Sequence, residues 1–166
     1  MNEDQYKILK TMNEATSRMD LNMFAQKVNL TPNQTIQQVQ ELAKKGYLRK
    51  VGNGFGVADK AKAFLKAFEP VPKEMAFHFY NGLDRPTECN AQTLEEFYSA
   101  IKQVGAESLE FHLYRSDFEN WIKEVYKDPE LANEIGKIKA AGLKDDALRK
   151  ELLKVLDAKY SIQEMK

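Results

Sequence analysis

Residues 30–65 contain a typical helix N-terminus, and the helix that it starts is followed by a β-hairpin with glycines on both sides of its turn. This order restricts the possible folds more than any other feature of the sequence. Thr31 is a typical helix N-cap, Pro32 fits the first helical position, and Gln34 completes a capping box. Gly46 is suited to end that helix, because glycine adopts the left-handed conformation without strain. The sequence therefore predicts a well-delimited helix with Ile36, Val39, Leu42 and Ala43 on its apolar face.

A β-hairpin is predicted directly after this helix. Residues 47–51 and 55–58 have β-character, and Gly52-Asn53-Gly54 between them suits a tight turn. Asp59 is expected to cap a further helix, which would bury Ala61, Phe64, Leu65 and Phe68.

Helical spacing of apolar residues also predicts two helices before Thr31. The first covers residues 3–14, and the second is a short amphipathic helix over residues 21–28. Residues 19–21 between them are predicted as a short extended piece. The predicted order is thus helix, short helix, turn, capped helix, hairpin and helix.

This order resembles the winged helix-turn-helix DNA-binding superfamily over residues 3–68, as found in small archaeal and bacterial regulators. The resemblance implies a mainly α fold with a small β-hairpin wing, followed by a mostly helical C-terminal domain. It also implies that the helix after Thr31 enters the major groove of double-stranded DNA. The residues expected to contact bases or phosphates are Asn33, Gln34, Gln37, Gln38, Lys44, Lys45, Arg49, Lys50 and Asn53.

The charge distribution favours the same interpretation. The chain has a net charge of +0, but residues 1–69 carry +4 and residues 70–166 carry −4. A basic first part joined to an acidic second part is typical of a modular nucleic-acid binder. The lone Cys89 excludes an intramolecular disulfide and, with no secretory signal or long apolar run, favours a cytoplasmic protein without a membrane span.

Two prolines in the segment Pro70-Val71-Pro72 indicate a domain boundary, because they end a helix and stiffen the chain. We therefore predict a winged-helix domain over residues 1–69, a linker over residues 70–75 and a helical domain over residues 76–166. The last is predicted to be mostly helical with one strand near residues 76–80. Capping boxes at Thr93 and Ser116, and a helix start at Asp128, divide its helices.

Residues 76–160 resemble an uncharacterised archaeal helical domain family. The resemblance is carried by the opening Phe77-His78-Phe79-Tyr80-Asn81-Gly82 and by a His-x-x-Arg-x-Asp-Phe-x-x-Trp pattern over residues 112–121. It implies a helical fold and an archaeal origin, and it implies no activity.

The same pattern suggests a cluster of His112, Arg115, Asp117 and Trp121. It is interpreted either as a small-ligand pocket or as a structural corner, with the structural interpretation favoured. No catalytic motif is present, and the two histidines and Cys89 lack metal-ligand spacing, so we expect neither an enzyme nor a metal or cofactor.

The leading hypothesis is a DNA-binding transcription regulator or chromatin-associated factor. We expect a homodimer, because paired half-sites require two-fold symmetry. The alternative hypothesis is a protein-interaction adaptor that uses the winged helix without binding DNA. A small-ligand or protein-partner site in the C-terminal domain is compatible with both hypotheses.

Overall fold

The computed structural model describes residues 1–165, and these divide into two compact units. The first unit contains Met1–Lys66 together with residues 163–165, and the second contains Ala67–Ile162. Both are mainly helical, and each contains one small antiparallel β-hairpin. A mainly α fold with a small hairpin is thus confirmed, and a second hairpin is added to it.

The first unit has the element order predicted from the sequence. Helix bounds are α1 Glu3–Glu14, α2 Leu21–Val28, α3 Pro32–Lys44 and α4 Asp59–Lys66, and the strands are β1 Leu48–Val51 and β2 Gly54–Val57. Of the extended piece predicted over residues 19–21, Asp20 has an extended backbone as the N-cap of α2, whereas Leu21 is already the first residue of that helix. The core is formed mainly by Ile8, Leu9, Ala25, Leu42, Tyr47 and Phe64.

The start of α3 follows its sequence signal closely. The Thr31 hydroxyl accepts from the Gln34 amide, and the Gln34 side chain accepts in return from the Thr31 amide. Between α2 and α3, Asn29 adopts a left-handed conformation with φ of 60°. A turn of this kind reverses the chain within three residues and sets α2 against α3.

The hairpin of the first unit closes through a two-residue turn. Val51 pairs with Gly54, which leaves Gly52 and Asn53 as the central turn residues. Gly52 has φ of 59°, the positive value that a type II′ turn needs at its first central position. A side chain at Gly52 would therefore strain the turn.

The second unit contains one more strand than the sequence predicts. Its strands are β3 Phe77–Tyr80 and β4 Pro86–Ala91, and its helices are α5 Leu94–Gln103, α6 Ala106–Tyr114, α7 Asp117–Asn120, α8 Pro129–Ala140 and α9 Asp145–Tyr160. A π-helical turn, Trp121–Val125, follows α7, and 3₁₀ turns occupy Lys73–Met75 and Ile162–Met165. Strand β4 was missed because Pro86, Thr87, Glu88 and Asn90 lack the apolar alternation of a half-buried strand.

The predicted linker over residues 70–75 is corrected. The Val71 amide donates to the Gln92 carbonyl at 2.8 Å, and the Gln92 side chain donates to the Val71 carbonyl at 3.1 Å. No α-helix forms in residues 70–75, but several backbone groups of this segment hydrogen-bond within the second unit. The division therefore falls after Lys66, not at residues 70–75.

An aromatic cluster fills the core of the second unit. Phe77 on β3 contacts Phe97 of α5 and Phe118 of α7, with ring centroids 5.4 Å apart in both pairs. Trp121 stacks on Phe97 at 5.2 Å. These contacts join the hairpin to α5, to α7 and to the π-helical turn.

Candidate nucleic-acid interface and aromatic pocket

The exposed residues of α3 are polar apart from Pro32 and Ile36, and none of them carries a carboxylate. The exposed polar side chains are Asn33, Gln34, Gln37, Gln40 and Lys44. The only acidic residue of the helix, Glu41, is half-buried and accepts from Gln5 Nε2 of α1 at 3.0 Å.

The buried face of α3 is shifted from the predicted one. Thr35 and Leu42 are buried, whereas Ile36 remains 40% exposed. The Thr35 hydroxyl donates to the Thr31 carbonyl, so its burial leaves no hydroxyl without a partner. Apolar spacing alone cannot detect a buried threonine that bonds to its own helix.

Gln38 is the one predicted DNA-contact residue that the structure turns toward a neighbouring helix. Its side-chain oxygen accepts from Gln5 Nε2 at 3.0 Å and from Asn2 Nδ2 at 3.4 Å. Gln34 is exposed, but its side-chain oxygen is used by the capping box. Gln40, which was not predicted, is exposed on the same helix.

The four predicted cationic residues are all exposed, and they lie on two elements that are in contact. Lys44 and Lys45 are at the C-terminal end of α3, and Arg49 and Lys50 are on β1, which packs against that helix. Asn53 is exposed in the hairpin turn. A further cation that sequence reasoning missed, Arg18, lies beside the hairpin, with Nη2 3.0 Å from the position of a Cβ on Gly54.

In the second unit, the four predicted cluster residues line one pocket, and three of them are in direct polar contact. His112 Nδ1 is 2.9 Å from Asp117 Oδ2, and Arg115 Nε lies 3.4 Å from the same oxygen. The Tyr80 amide donates to His112 Nε2 at 2.8 Å, so Nε2 is an acceptor and the ring proton lies on Nδ1. Burial lowers the pKa of His112, and the hydrogen bond to Asp117 opposes this only in part.

These contacts agree with a structural corner more than with a catalytic centre. Both nitrogens of His112 are used, which leaves neither free to act on a substrate. Trp121, the fourth predicted residue, donates from Nε1 to the Met75 carbonyl at 2.8 Å. The predicted capping box at Ser116 is wrong, because Ser116 has φ of 66° and its hydroxyl instead accepts from Lys139 Nζ.

An open pocket of about 610 Å³ lies beside this corner, with Phe77, Tyr80, Phe111, His112, Arg115 and Trp121 among its lining residues. Its volume is within the range of small-molecule sites. Within the described chain, no three His, Cys, Asp or Glu side chains converge as a metal site would need. None of the helices in residues 1–165 is both long enough and apolar enough to cross a lipid bilayer.

Comparison with known protein families gives a match over more than half of the chain. Residues 61–157 match DUF5752, a family of unknown function. No curated protein and no solved structure matches the sequence. The matched segment runs from α4 through most of α9 and includes the His112 corner and the pocket beside it. The chain therefore belongs to DUF5752, a family of unknown function.

Proposed function

We propose that the first unit is a winged helix that binds duplex DNA, with α3 in the major groove and the hairpin β1–β2 as the wing. The observation that carries the proposal is the exposed face of α3, which presents amides and lysine while its only carboxylate turns toward α1. Amide side chains suit adenine edges, and the cations suit phosphates.

Each group has a separate role in this proposal. Asn33, Gln37 and Gln40 are the base-edge candidates, because they are exposed and no hydrogen bond within residues 1–165 engages their side chains. Lys44, Lys45, Arg49 and Lys50 are phosphate contacts, and Asn53 reaches the backbone or minor groove from the wing. Gln38 is left out of the interface because its amide is engaged by α1.

The test is fluorescence anisotropy of a labelled duplex titrated with the full-length protein at several salt concentrations. Counterion release makes the affinity fall linearly with salt on logarithmic axes, with a slope of about −0.9 for each phosphate contact. The variant K44A/K45A/R49A/K50A should therefore bind all duplexes more weakly, and its slope should be less negative by up to about 3–4.

A matched control removes the same charge from the second unit. The variant K123A/K144A/K150A/K154A replaces four exposed lysines: Lys150 and Lys154 of α9, Lys144 just before it, and Lys123 of the π-helical turn. It should retain the affinity and the salt slope of the natural protein. Equal losses in the two variants would contradict the assignment of the interface, since net charge alone would then explain binding.

Sequence readout requires a second experiment. Selection of bound duplexes from a random pool should return a preferred site, and Q37A should relax the preference at one position while leaving non-specific affinity unchanged. A pool with no enriched sequence would restrict the proposal to non-specific binding. The regulatory role, the homodimer and the cytoplasmic location belong to the same proposal.

A protein-interaction adaptor is the second candidate, and a specific observation favours it. Four large apolar side chains of the first unit are exposed: Met23 (57%), Leu21 (41%), Ile36 (40%) and Val51 (46%). An exposed patch of apolar side chains is typical of a surface that binds another protein. Absence of duplex binding at about 50 mM salt would favour the adaptor, because even non-specific binding is favourable there.

A further inference from the structure

A groove of about 800 Å³ lies within the first unit, beside the elements proposed to bind DNA. We call it the α3–hairpin groove. It is bounded by the segment after α1, by α2 and α3, and by the hairpin turn and strand β2. Its lining residues include Arg18, Leu21, Phe24, Ile36 and Gly54. The volume lies within the range of about 300–1,000 Å³ for small-molecule sites.

The walls of the groove are mainly apolar. Leu21 of α2 and Ile36 of α3 both line the groove, and 41% and 40% of their surfaces are exposed. Apolar surface left in contact with water favours an occupant with an apolar body, because burial of that surface is favourable. The remaining polar lining is uncharged apart from one residue.

That residue is Arg18, the one charged side chain among the described residues that line the groove. No carboxylate of residues 1–165 lies within ion-pair distance of it. Its guanidinium lies against the backbone of Gly54, where the missing side chain leaves room for it. The groove thus combines apolar walls with a single uncompensated positive charge.

We propose that the α3–hairpin groove binds an apolar molecule that carries one carboxylate, and that the bound ligand weakens DNA binding. Guanidinium groups bind carboxylates through two parallel hydrogen bonds, which places the head group at Arg18 and the apolar body against Leu21, Phe24 and Ile36. The second half of the proposal rests on the proposed function.

The sign of the effect on DNA follows from charge. A carboxylate at Arg18 neutralises one cation of the first unit and adds a negative group beside α3 and the hairpin. Both changes oppose the approach of DNA phosphates. By linkage, DNA should weaken binding of the carboxylate by the same factor.

Isothermal titration calorimetry of the full-length protein with octanoate tests the first half. Octan-1-ol and protonated octylamine match its chain length, and acetate matches its head group. We expect octanoate to bind saturably at one site per chain, at least tenfold more tightly than any of the three. R18Q should lose at least tenfold in octanoate affinity and leave octanol binding unchanged, whereas R18K should retain part of it.

The control variant is R85Q, which removes an exposed arginine of the second unit. It should bind octanoate as the natural protein does. Equal affinities for octanoate, octanol and octylamine would overturn the proposal in favour of a site for a neutral apolar chain or a protein segment. Unchanged octanoate binding in R18Q would overturn it as well.

Anisotropy with a labelled duplex tests the second half. Octanoate at ten times its dissociation constant should raise the dissociation constant for DNA at least threefold, whereas acetate or octanol at the same concentration should not. R18Q should not respond. Unaltered DNA affinity at saturating octanoate would overturn the regulatory half. If the ligand-free protein binds no duplex, the proposed function fails, and calorimetry still decides whether the groove binds carboxylates.

Discussion

Asp128 is the buried carboxylate with the most partners in the second unit. It caps α8 by accepting from the Leu131 amide at 3.0 Å, and it also accepts from Lys159 Nζ at 2.7 Å and from the Tyr160 hydroxyl. Burial alone would raise the pKa of Asp128, but these hydrogen bonds together hold the pKa below its usual value of 3.8. Burial, together with the hydrogen bond to the Asp128 carboxylate, raises the pKa of Tyr160.

The D128A variant should lower the free energy of unfolding by about 2–4 kcal/mol at pH 7, because it removes a helix cap and a charge-assisted hydrogen bond. The folded pKa is depressed, so the contribution is present above pH 3.8 and is lost as the pH falls through the folded value. Urea unfolding at pH 7 and pH 3 measures the difference.

The control for D128A is E130Q, which removes the other carboxylate bound by Lys159. Glu130 is 86% exposed, so this change should cost less than about 0.5 kcal/mol. If E130Q lowered the free energy of unfolding as much as D128A does, burial of Asp128 would not explain its contribution to stability.

His112 should make the second unit sensitive to mild acid. Burial lowers its pKa from 6.5, so the unfolded chain binds the proton more readily than the folded one. The stability contribution is therefore present above pH 6.5 and decreases as the pH falls below it. Thermal unfolding between pH 7.5 and pH 5 should show this decrease, and H112Q, which keeps an acceptor for the Tyr80 amide, should show a smaller one.

The exposed His78 on β3 supplies the comparison for H112Q. H78Q makes the same substitution at an exposed position and leaves the hydrogen bonds of His112 to Tyr80 and Asp117 in place, so the decrease attributed to His112 should remain. A pH profile that is flattened by H78Q and not by H112Q would contradict the assignment.

At the scale of elements, the start of α3 is set by one hydroxyl. T31A should destabilise the first unit by about 1 kcal/mol, because the Gln34 amide loses its acceptor and the reciprocal capping bond loses its geometry. T31S keeps the hydroxyl and should recover most of this loss. Equilibrium urea unfolding, monitored by circular dichroism, would give the free energy of unfolding of both variants. Equal stabilities of T31A and T31S would exclude loss of the N-cap as the cause of the destabilisation.

Capping-box patterns predicted the helix starts correctly where both hydrogen-bond partners lie within a few residues of each other. The boxes at Thr31 and Thr93 were predicted and are present, because Gln34 and Glu96 are three residues away. Ser116 has the same local pattern, but Lys139 of α8 binds its hydroxyl. A partner from a distant helix cannot be deduced from a short sequence pattern.

The spacing of apolar residues did not predict the buried face of α3 correctly, because polar side chains hydrogen-bond to one another on its inner side. Gln5 is 1% exposed, and it donates to both Gln38 and Glu41 across α1 and α3. This amide network places polar residues on the inner side of α3 and leaves Ile36 partly in water. The sequence therefore predicted the existence of α3 but misplaced the edge of its buried face, and the α3–hairpin groove at that edge was not predicted at all.

At the scale of the whole molecule, the proposed function predicts a homodimer. One recognition helix contacts few base pairs, and two-fold symmetry doubles the contacts on a palindromic site. Sedimentation equilibrium should therefore give twice the chain mass of 19.1 kDa. A monomer mass together with one chain per duplex would contradict this prediction, and it would leave the DNA-binding assignment of α3 to be decided by anisotropy.

The single tryptophan offers a direct way to observe one unit without the other. Trp121 lies in the second unit, stacks on Phe97 and donates to the Met75 carbonyl, and the first unit contains no tryptophan. Its emission will shift to longer wavelengths only when that aromatic core opens to water. Far-ultraviolet ellipticity, by contrast, records the helices of both units. Superimposable melting curves from these two signals would mean that the whole chain unfolds as one cooperative body, and separated curves would give each unit its own melting temperature.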